Sequence, residues 1–281
     1  LGVAIFSMLI NFQSETHVPE ITILDGGISA ENAGKINAIG RKFNTSIHFK
    51  KIETELFKRF HLVNYFTSTA YFRLLIPRLF EDVTEKILYL DCDIMVLGNL
   101  AVLAETDVSE HHLAAVEDAH GVALLSTHYC AFYAGIKKYF NSGIMILNVR
   151  KLNADEIPER ALSFLNDHSK ELNIPDQDVL NILCADTWLP LEQRWNTQLD
   201  RNAHRVEPRP DVIHYIMRFK PWHFSYHNYY QKEYMRYLKA AWPNYRIQPV
   251  PLKLALKQLL KHTPYSIPIV RLFKRLAGIP I

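Results

Sequence analysis

Apolar positions fall along this chain in short blocks whose period switches between that of a helix and that of a strand. Val3, Ile5, Phe6, Leu9 and Ile10 recur at helical spacing and predict an amphipathic helix over residues 1–11. Residues 21–24 read as a short strand and Asp25-Gly26-Gly27 as a turn. Ser29 then reads as the cap of a helix reaching about residue 43. A second strand follows at 46–52. Thr67-Ser68-Thr69 supply capping hydroxyls for a helix that carries Tyr71, Phe72, Leu74, Leu75 and Ile76 and ends near Pro77. Further strands are predicted at 87–90, 94–97, 113–116, 144–148, 188–191 and 212–215, and a helix opens at Pro175. This alternation predicts an α/β fold, a mixed and mainly parallel sheet flanked by helices.

Polar residues that break this pattern point to chemistry. Asp91 and Asp93 interrupt what would otherwise be one apolar run from Ile87 to Leu97. On an extended backbone, alternation turns both carboxylates to one side and Cys92 to the other, so the two acids can share one cation. Hard oxygen ligands with few soft partners select Mg²⁺ or Mn²⁺, ions that accompany phosphate-bearing substrates. Two other readings stay open on local pattern: a turn cap, and a phosphatase-type Asp-x-Asp pair whose first acid is a nucleophile. Such a nucleophile follows the first strand of its domain, whereas this pair follows about ninety residues of folded pattern.

Composition narrows the class. The 281 residues are 48% hydrophobic, enough for a real core. Three cysteines, Cys92, Cys130 and Cys184, are widely spaced and odd in number, which suggests neither a disulfide framework nor a zinc site and fits a reducing compartment. No apolar run reaches the roughly 18 residues that would span a bilayer, and no basic leader opens the chain. Net charge is only +3, but no acidic residue follows Glu233, while nine Lys and Arg do.

Other polar interruptions recur where α/β folds hold ligands. Arg73 lies inside an apolar helical run, where it either meets an anion or snorkels from the edge. Asp118 follows a strand end, a ligand position in such sheets, although a single Asp there also caps helices. Asn141-Ser142-Gly143 lead into a strand, with Gly143 permitting close backbone approach. Asp176-Gln177-Asp178 open a helix, and capping accounts for only one of two acids beside an amide. His214 interrupts a strand, and Lys220-Pro221-Trp222 follow six residues later. An imidazole completes a carboxylate-rich metal site, and a nearby ammonium neutralises a departing diphosphate.

Taken in order, Leu24-Asp25-Gly26-Gly27-Ile28-Ser29, Tyr71-Phe72-Arg73, Leu88-Tyr89-Leu90-Asp91-Cys92-Asp93, Phe140-Asn141-Ser142-Gly143, Asp176-Gln177-Asp178, and His214 with Lys220-Pro221-Trp222 resemble retaining glycosyltransferase family 8. That family includes lipooligosaccharide galactosyltransferases, lipopolysaccharide-core glycosyltransferases and, more remotely, glycogenin. The resemblance covers about residues 1–223. It implies a GT-A fold, a UDP-hexose donor and Mn²⁺, with Mg²⁺ as the second choice. It places Asp91, Asp93 and His214 as metal ligands. Arg73, Asp91, Cys92, Asn141, Ser142 and Lys220 fall in the donor site, Asp176 and Gln177 at the catalytic centre, and Asp118 near the acceptor. The chain departs from the family in two places. Nothing before Leu1 supplies the strand and turn that grip uracil and ribose, so an N-terminal strand is expected to be missing. Tyr215-Ile216-Met217-Arg218-Phe219 replace a glycine-containing turn between the His and the Lys, where Arg218 adds a charge.

The implied activity is transfer of galactose or glucose from a UDP-sugar to a saccharide acceptor of lipopolysaccharide-core type. A sugar-nucleotide-binding protein without turnover and a metal-dependent phosphatase or nucleotidyltransferase are the alternatives. Residues 1–223 read as the transferase domain and 224–281 as a basic helical extension. In it, Lys253, Lys257 and Lys261 recur beside Leu252, Leu256, Leu259 and Leu260, a cationic flank next to an apolar stripe. No nucleic-acid-binding motif accompanies this charge. The expected location is cytoplasmic, peripheral on the anionic inner face of a bacterial membrane.

Overall fold

A computed structural model describes residues 1–62, 67–118, 121, 131–200, 203–216, 220–223, 226 and 228–245. Along it run α1 (Gly2–Asn11), β1 (Ile21–Asp25), α2 (Ala30–Lys42), β2 (Ile47–Lys51), a 3-10 segment (Ser68–Leu75), α3 (Ile76–Leu79), β3 (Lys86–Leu90), β4 (Ile94–Val96) and α4 (Leu100–Ala104). There follow β5 (Leu113–Glu117), β6 (Phe140–Asn148), α5 (Val149–Ala154), α6 (Ile157–His168), α7 (Pro175–Leu183), β7 (Trp188–Leu191), β8 (Thr197–Leu199), β9 (Val212–Tyr215) and α8 (Gln231–Ala241).

The strands form three ladders of pairing, β1-β2, β3-β6-β5-β7 and β4-β9-β8. Among the described pairs, β1-β2, β5-β7 and β8-β9 are parallel, while β3-β6, β5-β6 and β4-β9 are antiparallel. The expected mixed sheet flanked by helices is therefore present, with its directions evenly divided among the described pairs. The even division has one main source: β6 runs against both of its neighbours. Every residue of β6 is buried, as a central strand covered on both faces requires.

The predicted α1 exists, and its apolar residues spread around the helix rather than along one stripe. Ala4 joins a cluster with Ile94, Val116 and Ile146, Val3 one with Met95, Ile213 and Tyr215, and Ile5, Phe6 and Leu9 one with Ile23, Ile36 and Ile39. A helix with apolar residues on several faces is buried on those faces, and α1 opens to solvent only toward its C-terminal end, where Ile10 is 51% exposed. Its one buried hydroxyl, Ser7, accepts from the Val96 N–H at 2.9 Å and ties the helix to β4. At the other end of the described chain, α8 sets Tyr234 and Leu238 into the cluster that holds Val3 and Tyr215.

Local signals behave as their chemistry dictates. Ser29 Oγ accepts from the Asn32 N–H and caps α2. Asp25 Oδ1 accepts from the N–H groups of Gly27 and Ile28, closing a turn in which Gly27 has φ +127°. The segment around Arg73 differs from expectation: it is a 3-10 helix, and Pro77 sits in the first turn of α3 instead of ending a longer helix. Proline is tolerated there because that turn's N–H groups have no helical partner. The structure also adds α5 and α6, the latter burying Ile157, Ala161 and Leu165 at four-residue spacing. Residues 246–281, including the whole Lys253–Lys257–Lys261 pattern, lie outside the described residues, as does Cys130.

Candidate active site

Asp91 and Asp93 lie on a turn that carries the chain from β3 in one sheet to β4 in another, rather than on one extended strand. Each acid is anchored to a different sheet. The Asp91 N–H donates to Gly143 O of β6 at 2.7 Å, and the Tyr215 N–H of β9 donates to Asp93 O at 3.0 Å. The turn thus draws the ends of β6 and β9 together, and with them His214. His214 Nε2 lies 3.4 Å from Asp93 Oδ1 and 3.8 Å from Asp91 Oδ2. One ligand atom from each of Asp91, Asp93 and His214 falls within 4.8 Å of the others, a grouping that suits a divalent ion.

Two positive side chains flank the pair. Lys220 Nζ is 2.7 Å from Asp93 Oδ2 and also donates to Tyr215 O. Burial pushes the Asp93 carboxyl up, but His214 and Lys220 beside it hold it well below the usual carboxylate range. On the other side, Arg73 is only 8% exposed and meets anions rather than solvent. Its Nη2 donates to Asp91 Oδ1 at 2.9 Å, its Nη1 to Ser142 O at 2.9 Å, and its Nε lies 3.3 Å from Asp176 Oδ2. Tyr89, whose ring lies beneath the guanidinium, donates its hydroxyl to Asp91 Oδ1 at 2.6 Å. Burial pushes the Asp176 carboxyl up to about 6, with Arg73 pulling it down and Asp91 pushing it further up.

Beneath this surface runs a buried amide network. Gln177 Oε1 accepts from the Ser142 N–H at 2.9 Å, and its Nε2 donates to Asp118 Oδ2 and Tyr139 Oη, both at 3.2 Å. Asn141 Nδ2 donates to Asp118 Oδ2 at 3.0 Å, while Asn141 Oδ1 accepts from the Gly143 N–H at 3.0 Å and from Asn196 Nδ2 at 2.9 Å. Asn196 Oδ1 meets His214 Nδ1 at 3.1 Å. Asp118, expected near the acceptor, is 5% exposed and built into this network. Cys92, by contrast, is exposed on the turn.

The structure therefore brings together Arg73, Asp91, Asp93, Asn141, Ser142, Asp176, Gln177, His214 and Lys220 from five distant stretches of sequence. Of the two acids around Gln177, Asp178 is the one explained by local backbone. Its Oδ2 accepts from the N–H groups of Asn173 and Ile174, both at 2.8 Å, and its Oδ1 from the Tyr139 hydroxyl. Arg218, in the loop before Lys220, lies outside the described residues. Sequence reasoning missed Asn196 and Tyr139 as network members, and also Asn181, whose Oδ1 accepts from the Phe140 N–H at 2.7 Å and whose Nδ2 donates to Gln177 O at 3.0 Å. Asn196 carried no signal, since Glu192, Gln193, Arg194, Thr197 and Gln198 surround it and one more polar residue does not stand out.

Comparison with known proteins agrees with this geometry. The sequence profile described as Glycosyl transferase family 8 matches residues 1–225. General stress protein A of Bacillus subtilis (strain 168) is 31% identical over 255 residues, which cover 85% of this chain and 88% of that protein. Lipopolysaccharide 1,3-galactosyltransferase of Salmonella typhimurium (strain LT2) is 29% identical over 226 residues, 76% of this chain and 66% of that protein. Among solved structures, the galactosyltransferase LgtC in complex with donor and acceptor sugar analogs superposes with a TM-score of 0.72 at 22% identity, covering 91% of this chain and 94% of that one. The likeness to LgtC shows the GT-A fold.

Proposed function

This chain belongs to glycosyl transferase family 8, and from that premise we propose that it moves galactose or glucose from a UDP-sugar to a saccharide acceptor of lipopolysaccharide-core type, with retention of configuration. The observation that carries the reading is the convergence of Asp91, Asp93 and His214 from a turn and a strand of different sheets. Two carboxylates and an imidazole suit Mn²⁺ or Mg²⁺. Gly143 supports the fit, since a β-carbon there would stand 2.9 Å from Asp91 Oδ2 and fill the space beside the ligand atoms.

The residues divide the work. A divalent ion bound here would neutralise charge that develops on the departing UDP. Lys220, already paired with Asp93, adds a second positive charge on that side. Arg73 fixes the Asp91 carboxylate and the Ser142 backbone, which sets the floor on which the donor sugar would rest. Asp176 and Gln177 would orient the sugar's anomeric carbon toward the acceptor hydroxyl. An amide is a poor nucleophile, and the Gln177 oxygen already accepts from the Ser142 N–H. Attack by the acceptor on the face the diphosphate leaves is therefore favoured over a covalent intermediate on Gln177. The phosphatase-type alternative would use Asp91 Oδ2 as the nucleophile, since Oδ1 is held by both Arg73 and Tyr89.

Residues 1–223 would form the transferase unit and 224–281 a basic extension, in which α8 packs on that unit through Tyr234 and Leu238 while its basic face and the sequence beyond it would rest on anionic lipid at the inner face of the bacterial cytoplasmic membrane. The exposed Lys232, Arg236 and Lys239 of α8 begin the run of basic residues that continues in sequence to Arg275. Among the described residues, no helix is long and apolar enough to cross a membrane. Mass spectrometry of lipopolysaccharide-core oligosaccharides incubated with UDP-galactose or UDP-glucose tests the activity. A hexose increment that appears with Mn²⁺ and vanishes with EDTA is expected. Phosphate release without an increment would replace this reading with phosphoryl transfer, and donor binding without either product would replace it with a binding role.

A further inference from the structure

The chain of hydrogen bonds from Asp118 to His214 has only one possible polarity. A carboxylate accepts and cannot donate, so the Asn141 group 3.0 Å from Asp118 Oδ2 must be its NH₂. That choice turns the Asn141 oxygen the other way, where the Gly143 N–H independently requires an acceptor. The Asn196 group facing that oxygen at 2.9 Å must in turn be its NH₂, which presents the Asn196 oxygen to His214 Nδ1 at 3.1 Å. A neutral imidazole can satisfy an acceptor at Nδ1 only by carrying its proton there. Its Nε2 is then bare, and Nε2 is the atom that faces Asp91 and Asp93. Asn141 and Asn196 are 7% and 0% exposed, so solvent offers them no other partner.

We infer that Asp118 is a positioning residue that, together with the Gly143 N–H, sets the tautomer of the neutral His214 ring through Asn141 and Asn196, so that the ring keeps its proton on Nδ1 and the Nε2 facing the two carboxylates is the atom that opens to a cation. Three N–H groups, from Gly121, Asn141 and Gln177, converge on Asp118 and keep its oxygens as acceptors. The tautomer assignment stands on hydrogen bonds alone. Its consequence for metal binding rests on the site reading proposed above, because a ring with the opposite tautomer would point a proton at the cation. Partners that orient a ligating histidine in this way are worth about 10–100-fold in metal affinity.

Long-range ¹H–¹⁵N NMR of the His214 ring in the metal-free protein, followed across pH, reads the tautomer of the neutral ring directly. Titration with MnCl₂ alone reads its consequence. The wild-type ring is expected to carry its proton on Nδ1. Asp118→Asn removes one of the two groups that orient Asn141 and leaves the Gly143 N–H alone to oppose its turning over; the Nε2–H form is expected to appear beside the Nδ1–H form and Mn²⁺ affinity to fall by up to about tenfold. Adding Asn196→Asp to that variant returns a carboxylate directly to Nδ1, and should restore the Nδ1–H signature together with most of the affinity. Asn196→Ala, which leaves Asp118 in place, should mix the two tautomers. An Asp118→Asn protein that keeps the Nδ1–H ring and wild-type affinity would overturn the inference, as would a folded double variant without the restored signature. If the tautomers behave as expected but no form binds Mn²⁺, the relay stands and the metal reading of the site falls.

Discussion

The imidazole of His214 lies directly against the Cα of Gly143. A β-carbon on residue 143 would fall 2.2 Å from its Cε1 and 2.8 Å from its Nδ1. Both residues sit within strands, Gly143 in β6 and His214 in β9 between β4 and β8. Both backbones are held, Gly143 by its carbonyl, which accepts from the Asp91 N–H at 2.7 Å, and His214 by its pairing with Ile94 and Gln198. The glycine is therefore demanded by close approach of a side chain, and not by an unusual backbone angle.

Gly143→Ala should accordingly push the His214 ring off the carboxylate pair. Overpacking of this kind costs about 1–3 kcal/mol, and the displaced ring should weaken Mn²⁺ binding at least tenfold. Urea unfolding and Mn²⁺ titration together check this. A variant with wild-type stability and affinity would show that the ring has room to move.

The two aspartates should fail in different ways. Both Asp91→Asn and Asp93→Asn are expected to abolish metal-dependent UDP binding, measured by calorimetry with and without Mn²⁺, because each removes a ligand charge. Asp91→Asn also takes an anion from the buried Arg73, so it should lower unfolding free energy by on the order of 3 kcal/mol. Asp93→Asn leaves Lys220, which still donates to Tyr215 O, and should cost less. Equal stability losses would contradict the separate pairing seen here.

How much of this was legible beforehand follows from which forces act locally. β3, β4 and β9 were readable because strands that are half-buried or buried advertise themselves as apolar runs, and the acids breaking one run marked the site. The same reading set Asp91 and Asp93 on one extended strand. It could not see that the chain turns there between two sheets, since that turn is fixed by Gly143 O and the Tyr215 N–H, contacts far away in sequence. Arg73 left two outcomes open, and only the distant Asp91, Ser142 and Asp176 choose between them. Asn196 gained meaning only when folding set His214 beside it. The helices α5 and α6 are another matter: Ile157, Ala161 and Leu165 at four-residue spacing, with Pro158 in the first turn, were a local signal that went unread.

The basic extension makes a prediction about membranes. Replacing Lys253, Lys257 and Lys261 by Gln should reduce binding to anionic vesicles, since each basic residue near such a surface contributes about 1 kcal/mol. Neutral vesicles should bind neither form. Cosedimentation decides the matter, and equal binding of both proteins to anionic vesicles would remove these lysines from the membrane contact.

Asp176 supplies a prediction about pH. Its carboxyl is 4% exposed, and burial raises it from 3.8 in the unfolded chain to about 6 in the fold. Between those values the unfolded chain gives up the proton while the folded chain keeps it, so the unfolded state binds fewer protons and this group's contribution to stability falls as pH rises. Above pH 6 both states are ionised and the contribution levels off. The full drop is on the order of 3 kcal/mol. Asp176→Asn cannot ionise, so the stability of wild type relative to the variant should decline from about pH 4 to pH 6 and stay flat above it. Unfolding by urea at several pH values in that interval measures the difference. A difference that grows in favour of wild type as pH rises would mean that Arg73, 3.3 Å away, outweighs burial at this carboxyl.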